Sequence, residues 1–314
     1  MTGIKKGYYC LTLVILFLLF FACESETQTK QPQQISTSPL ETVRLLAEEN
    51  KKFEGVPSNS AAVRAPEIKA ILDSGYIVFA MTTSDHKPYF YNHKTTGELI
   101  GIDVELAYAI ANHLGVRALF NRNAATFDEV VMIVADKEAD IALSKLSRTT
   151  QRAKLVRYTN SYITFRQGLL VNRLEYARIG SEDKLPNFIR NYHGTLGVIQ
   201  NSSYHAFALV NFPNAELIFF NNWHEAVDAL YNNEVIAIYR DEAEILIVNK
   251  TRKDSSLLMK PVFFNDKHDS IAMAISNDAP LLQEWLNIFL EDYIRQNQRK
   301  LTPGWFIKRH FVSM

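Results

Sequence analysis

Cysteine is nearly absent from this chain of 314 residues: there are two, Cys10 and Cys23, both close to the N-terminus. The sequence from Glu24 to Met314 has none, so this part cannot form an internal disulfide, a thiolate zinc site or an iron–sulfur site. An excess of charge is also missing, because 34 basic and 34 acidic side chains balance. Proteins that bind nucleic acid generally carry a basic excess, so we expect no nucleic-acid partner.

The motifs of common catalytic and metal sites are missing as well. The eight histidines are scattered without an H-E-x-x-H pattern, and neither a P-loop nor a G-x-S-x-G motif occurs. We therefore expect no metal and no cofactor. With 47% hydrophobic and 22% charged residues, the composition is that of a folded globular protein. At roughly 150 residues per domain, the length allows about two domains.

The N-terminus has the pattern of an export signal. Lys5 and Lys6 precede an apolar run from Leu11 to Ala22, which is the order found in secretory signal peptides. The end of this run, Ala22-Cys23, resembles a bacterial lipobox. That resemblance implies a signal peptide over residues 1–22 and a lipid on Cys23. Two alternatives stay open, namely ordinary signal-peptidase cleavage nearby and an uncleaved anchor, since a spanning helix needs ~20 apolar residues.

A polar segment follows Cys23 and separates the signal from the folded body. Residues 24–39 are rich in Ser, Thr, Gln and Glu and predict a flexible tether. Residues 40–53 have the spacing of a short amphipathic helix, and residues 54–65 return to linker composition. We therefore assign residues 23–65 to the tether and expect the folded body to begin at Pro66.

From Pro66 onwards, strand-like runs alternate with helical periodicity. The clearest helix is predicted from Asp103 to Leu114 and ends at Gly115; another is predicted from Phe127 to about Lys137, with Thr126 as its cap. This alternation of strands and helices occurs in both halves of the body, which predicts an α/β fold with mainly parallel sheets. Further helices are predicted at 66–74, 204–210, 223–231, 241–249 and 281–298, and strands at 76–81, 99–102, 116–120, 140–143, 163–171, 197–200, 217–220, 235–239 and 271–275.

Several short motifs in this body occur in an order that is typical of one protein family. Together they resemble the polar amino-acid-binding type of the bacterial periplasmic solute-binding proteins, family 3, which serve ABC importers. The match extends over roughly residues 66–311. The motifs are Pro88-Tyr89-Phe90, Gly101-Ile102-Asp103-Val104-Glu105, Asp140-Ile141-Ala142, Ser147-Arg148-Thr149-Thr150-Gln151-Arg152, Tyr158-Thr159-Asn160-Ser161-Tyr162, Gly197-Val198-Ile199-Gln200-Asn201-Ser202-Ser203 and Arg240-Asp241-Glu242.

This resemblance implies a fold. Members have the two-lobed type II periplasmic binding protein fold, in which two crossover strands form a hinge and the ligand lies between the lobes. We place the crossovers near Ile163–Thr164 and His268–Ser270. The first lobe is then 66–163 plus 268–314, and the second lobe is 164–267. A cleft between lobes is a common ligand site.

The resemblance also implies which residues meet the carboxylate of an amino acid. Arg152 occupies the family's carboxylate-binding position, and a guanidinium matches a carboxylate with two parallel hydrogen bonds. Ser147 and Ser144 lie beside this position in the sequence, with Ser147 preferred. Ser202 and Ser203 begin a predicted helix, where free N–H groups favour an anion. Each has a structural alternative: a surface arginine, and a pair of N-cap serines.

Asp241 stands where the family places the acid that binds the ligand's ammonium, although it also fits a helix N-cap. Phe127 fits an aromatic wall of the cleft or a core position, and alignment puts His86 on the opposing wall. Lys145 stands where small residues are usual. If it points inward it favours an acidic or polar ligand side chain, and if it points outward it is a solvated lysine, which the sequence favours.

The expected function is therefore that of a monomeric, non-enzymatic binding protein. It is lipid-anchored at Cys23 outside the cytoplasm, periplasmic or on the cell surface, and captures an amino acid or similar small polar solute for an ABC permease in the membrane. Two alternatives stay open: a cleft enzyme of the cyclohexadienyl dehydratase type, with Asp241 or Glu242 as its acid, and a ligand-sensing subunit of a signalling partner.

Overall fold

A computed structural model of the chain describes residues 63–179, 192–297 and 301. The predicted signal peptide, the tether with its short helix and Cys23 lie outside the described residues. No helix within the described ranges is both long and apolar enough to span a membrane.

Helices and strands alternate along the described chain, as the sequence predicts. The helices are α1 (Pro66–Ser74), α2 (Ile102–Leu114), α3 (Phe127–Ala135), α4 (Arg173–Ile179), α5 (Ser203–Asn211), α6 (Trp223–Tyr231), α7 (Glu242–Thr251), α8 (Ser255–Leu258) and α9 (Pro280–Asn297), with a 3₁₀ turn at Arg152–Lys154. The strands are β1 (Tyr76–Thr82), β2 (Tyr91–Asn92), β3 (Leu99–Ile100), β4 (Arg117–Ala124), β5 (Ile141–Ala142), β6 (Val156–Tyr158), β7 (Ile163–Asn172), β8 (Thr195–Ile199), β9 (Glu216–Phe220), β10 (Ala237–Asp241), β11 (Met259–Ile271) and β12 (Ala274–Ser276).

These strands form two five-stranded sheets and a small ribbon of β2 and β3. The first sheet has the order β4-β1-β5-β12-β6, and the second has the order β11-β7-β10-β8-β9. In each sheet one strand runs in the direction opposite to that of the other four: β12 in the first sheet and β7 in the second. Mainly parallel sheets flanked by helices confirm the predicted α/β fold class.

The helix α2 shows how the sequence produces this packing. Its apolar residues recur every three to four positions, so they fall on one side of the helix, and that side is buried against the first sheet. Gly115 then ends the helix with a positive φ of 70°, a conformation that glycine adopts without steric penalty. Besides Ile102, which precedes the predicted helix, the buried apolar residues of this helix are those that the periodicity predicts: Val104, Leu106, Ala107, Ile110, Ala111 and Leu114.

The antiparallel pair of β7 and β11 connects the two halves of the body. Its pairing runs from Ile163 with Ile271 to Asn172 with Met259, with one register shift between Phe263 and His268. Periodicity alone predicts no strand over β11, because its stretch from Asn265 to Ser270 is polar, although the family resemblance places a crossover at His268–Ser270 within it. The single strand predicted over 271–275 is wrong, because β11 ends at Ile271 and β12 begins at Ala274.

Gly101 fixes the start of α2 and so the position of Asp103, whose role appears below. Its φ is 131°, and a Cβ at this position would lie 2.3 Å from the carbonyl oxygen of Tyr89. That carbonyl accepts a 2.9 Å hydrogen bond from the backbone N–H of Asp103. The loop and the helix therefore approach each other too closely for any side chain.

We predict that Gly101→Ala lowers the free energy of unfolding by roughly 2–6 kcal/mol, because backbone strain and overpacking add. The matched control is Gly97→Ala: Gly97 has a φ of 72° but open space around it. That change is expected to cost roughly 1–2 kcal/mol of strain alone. Urea unfolding of both variants measures the difference, and equal losses would contradict the close approach at Gly101.

Candidate functional site

A cavity with a volume of only about 10 Å³ lies between the half of the chain that contains the first sheet and the half that contains the second. Side chains from both halves line it, so the chain must fold completely to assemble it. Its lining residues are Phe127, Lys145, Ser147, Arg152, Ser202, Ser203, Tyr204, Arg240, Asp241 and Asp269. We call it the inner cavity. A larger opening of about 580 Å³ also exists, which we call the outer cleft. Its lining includes His86, Phe127, Ser202, Trp223, Arg240 and Glu244.

Local structure explains how each half presents its groups. Ser202 is the N-cap of α5: its side chain accepts a hydrogen bond from the N–H of His205 and donates one to the carbonyl of Ile199. The hydroxyls of Ser203 and Ser147 are 2.8 Å apart, which joins the start of α5 to the loop after β5. Ser202 therefore caps its helix, and both serines line the inner cavity.

Arg152 is buried at one side of the inner cavity. Its Nε donates to Oδ1 of Asp128 at 2.8 Å, and its Nη1 donates to the backbone carbonyl of Ser147 at 3.3 Å. Asp128 itself is exposed and follows Phe127, which is the first residue of α3. The arginine is thus held in place by two partners while it lines the cavity, and it is not a surface arginine.

Lys145 reaches across from the first half to the second. Its Nζ lies 2.9 Å from Oδ2 of Asp241 and 2.8 Å from Oε1 of Glu244, and 4.7 Å from the ring centre of Tyr89. Its side chain is only 3% exposed. Of the two orientations open from the sequence, the structure has the inward one, so the favoured expectation of a solvated lysine is wrong. We call Lys145, Asp241 and Glu244 the ion cluster.

Electrostatics keep the ion cluster charged. Burial alone raises the pKa of Asp241, but the charges of Lys145 and Arg240 outweigh it and lower that pKa below the usual value. Burial likewise lowers the pKa of Lys145, but Asp241 and Glu244 raise it overall. Each ion is therefore stable in the interior only because the others are present.

Asp103 positions the backbone that carries Lys145. Its Oδ2 accepts from the N–H of Lys145 at 2.6 Å, and its Oδ1 accepts from the hydroxyl of Tyr162 at 2.9 Å. Burial raises the pKa of Asp103 to about 7 despite these hydrogen bonds. Lys145 has a positive φ of 48°, which a side chain other than glycine adopts at a cost. The hydrogen bond from Asp103 and the ion cluster hold it there.

Two predicted site residues, Ser144 and His86, do not line the inner cavity, although His86 lines the outer cleft. The hydroxyl of Ser144 accepts from the N–H of Thr82 at 3.2 Å, and Ser144 lines neither the inner cavity nor the outer cleft. Side chains of consecutive residues diverge, so Ser144 is turned away while Lys145 enters. His86 packs beside Phe127, 5.1 Å between ring centres, rather than opposite it. Burial, with the charges of Arg240, Lys145 and Arg122, lowers the pKa of His86 to about 3.

The sequence reasoning missed two cavity residues of chemical importance. Arg240 is 5% exposed, and its Nε lies 3.6 Å from Oδ2 of Asp241. Asp269, on β11, is 2% exposed and accepts from Ser147 at 3.0 Å. Burial and the nearby charge of Asp241 raise the pKa of Asp269 to about 6. Two sequence signals could have found them: Arg240 stands in the Arg240-Asp241-Glu242 motif, and Asp269 stands in the predicted crossover at His268–Ser270.

Fold and site together define a class: a two-lobed protein with a small, charged, largely buried cavity at the interface of its lobes. The model of the family of bacterial extracellular solute-binding proteins, family 3, matches residues 78–308. The chain belongs to this family.

Individual relatives agree with this membership. The ABC transporter glutamine-binding protein GlnH of Bacillus subtilis is 26% identical over 211 residues, which cover 66% of this chain and 72% of that protein. The ancestral amino acid-binding protein AncCDT-1, a precursor of cyclohexadienyl dehydratase, is similar in fold with a TM-score of 0.62 and 24% identity, covering 76% of this chain and 98% of that one. A putative ABC transporter binding component from Wolinella succinogenes, complexed with lysine, has a TM-score of 0.62 and 22% identity, covering 76% and 96%.

We predict that Lys145→Met opens the inter-lobe cleft. Without the ammonium, Glu244 loses its ion-pair partner and Asp241 keeps only the more distant Arg240, 3.6 Å away. Breaking a buried pair costs about 3–5 kcal/mol unless the carboxylates regain water. Opening restores that water. Small-angle X-ray scattering is expected to show a larger radius of gyration for this variant. Lys69→Met is the control, because Lys69 pairs with Asp73 on the exposed surface of α1. An unchanged radius in Lys145→Met would contradict the role of the ion cluster in closure.

Proposed function

We propose that this chain captures an amino acid or a similar small polar solute in the inner cavity and delivers it to an ABC permease. The observation that carries the proposal is the assembly of Arg152, Ser147 and Ser203 from both lobes around one buried cavity. A ligand held there contacts both lobes only in the closed form, so binding selects closure. The names of the relatives, which are ABC transporter binding proteins, support this role.

In this proposal Arg152 is the group that meets the solute's carboxylate. Its position is fixed by Asp128 and the carbonyl of Ser147, which leaves the remaining guanidinium donors for a ligand. Ser202 and Ser203 add the N-terminal turn of α5, where backbone N–H groups and the helix dipole favour an anion. Phe127 supplies an apolar side to the cavity. We propose that the cavity binds its solute without transforming it and that the protein acts as a monomer.

We predict that Arg152→Ala removes solute binding by the full chain in detergent. A bound solute stabilises the folded protein by about 2.7 kcal/mol at a hundredfold excess over Kd, which thermal unfolding detects. Losing one partner of a buried charged contact weakens binding by roughly 2–5 kcal/mol. The control is Arg157→Ala, because Arg157 is exposed and bonds the carbonyl of Asn277. A solute whose stabilisation survives in Arg152→Ala would show that its carboxylate binds elsewhere.

We further propose that the chain is exported and anchored by a lipid on Cys23, after removal of residues 1–22. The two lobes are then residues 66–163 with 268–314, and 164–267, joined to the membrane by residues 23–65. The apolar run before Cys23 and the polar segment after it support this arrangement. A lipid chain holds a protein at the membrane surface and leaves the folded body in the aqueous compartment.

We predict that Cys23→Ala abolishes incorporation of radiolabelled palmitate into the protein when it is produced in a bacterium. The chain provides its own control, because Cys10→Ala removes the only other cysteine and is expected to leave labelling unchanged. Fractionation of the same cells reports the anchor independently. Labelling that persists in Cys23→Ala, or that is lost in Cys10→Ala, would place the modification elsewhere.

A further inference from the structure

Asp241, at one side of the inner cavity, already has partners for its negative charge. Oδ1 of Asp241 accepts from the backbone N–H of Glu244 at 3.1 Å, and Oδ2 accepts from Nζ of Lys145 at 2.9 Å. Nε of Arg240 lies 3.6 Å from the same Oδ2. Both carboxylate oxygens are engaged and two cations already face them. A solute's ammonium at this position would have to displace Lys145 from a buried pair.

By contrast, several hydrogen-bond donors at and near Arg240 have no acceptor. Its Nε is buried and has no hydrogen-bond partner among the described residues. The guanidinium carbon lies 5.4 Å from the ring centre of Tyr204 and 5.9 Å from that of Trp223. The hydroxyl of Tyr204 and the indole N–H of Trp223 also lack partners in the part of the chain that the structure describes. A buried donor without an acceptor costs free energy, so this group is suited to oxygens that a ligand brings.

Arg240 faces both spaces of the site. It lines the inner cavity together with Arg152 and the outer cleft together with Trp223. Its stacking partners hold the guanidinium in place without using its N–H groups, because a cation above a ring contacts the face of the ring. A solute that reaches Arg152 with one acidic group therefore finds further donors, rather than acceptors, towards Arg240.

We propose that the solute is a small organic acid without an ammonium group, such as a hydroxy acid, an oxo acid or a dicarboxylate. The ammonium of Lys145 takes the place of the one that the solute lacks. Arg240 binds the oxygens of the solute that do not contact Arg152. This deepens the proposed function and rests on it, since it names the class of solute for the same cavity. The remaining carboxylate, Asp269, has an unpaired Oδ1. It is suited to accept a hydrogen bond from a hydroxyl of such a solute.

Matched pairs of solutes test this on the unaltered full chain in detergent. Members of each pair differ only at the ammonium: aspartate and malate, leucine and 2-hydroxyisocaproate, and glutamate with 2-hydroxyglutarate or 2-oxoglutarate. In titration calorimetry we expect the amine-free member of the best-binding pair to bind at least about tenfold tighter, because the ammonium finds its acid already occupied. Tighter binding of the amino acid in every pair overturns the inference.

Two variants locate the effect. Arg240→Gln is expected to weaken binding of the amine-free acid at least about tenfold, while Arg166→Gln is the control. Arg166 pairs with Glu242 and lines neither the inner cavity nor the outer cleft. Lys145→Ser removes the ammonium that pairs with Asp241 and Glu244, so a solute's ammonium can take its place and the preference within each pair is expected to reverse towards the amino acid. Circular dichroism checks that each variant is folded. If Arg240→Gln does not fold, Arg240→Lys replaces it in the binding measurement.

The outcomes separate this inference from the function on which it rests. If amino acids bind, depend on Arg152 and are unaffected by Arg240→Gln, the proposed function stands and the amine-free class is wrong. If an amino acid binds and Asp269→Asn abolishes it, Asp269 takes the ammonium, and the inference is again wrong. If none of the acids or amino acids binds at 10 mM (roughly 3 kcal/mol at the 1 M standard state), both fail.

Discussion

The buried ions of Lys145, Asp241 and Glu244 are the contact on which the closed arrangement of this protein depends. A lysine from the loop after β5 meets two carboxylates at the start of α7, and all three lie in the interior. Taking such charges out of water costs several kcal/mol per ion, which only their mutual proximity offsets. The lobes must therefore meet in one register, with Nζ within hydrogen-bond distance of both acids. The same contact fixes the size of the inner cavity and the charge of its wall.

In each lobe, a local hydrogen bond positions the residue that makes this contact. In the first, Asp103 at the start of α2 holds the backbone N–H of Lys145, so a lysine in a conformation that favours glycine is kept in place. In the second, Asp241 caps α7 with one oxygen and keeps the other for the lysine. Helix capping and ion pairing with Lys145 thus use different oxygens of one side chain. This explains why a residue that looks like a plain N-cap in sequence can also line the cavity.

The sequence predicts most of the fold, because its helices have strong periodicity and clear ends, as at Gly75 and Gly115, and because resemblance to a family supplies the topology. It fails for β11, where polar residues in a strand that connects the lobes carry no alternating pattern. For the site, order along the chain places Arg152, Ser147, Ser203 and Asp241 near the cavity, but not the direction of a side chain. Lys145 and Ser144 are neighbours with opposite orientations, and Arg240 and Asp269 gain their meaning only from three-dimensional surroundings.

The positive φ of Lys145 has a consequence for how members of this family diverge. At 48° the backbone already has a conformation that glycine takes freely, so a small residue can replace the lysine without moving the chain on either side. One substitution would then remove an internal cation while each sheet and helix keeps its own conformation, and the change would be felt in how the lobes close. Specificity in such a lineage can drift at single positions beneath a constant architecture. Solved structures of 20–24% identity that share this fold are accordingly a guide to the fold rather than to the cargo.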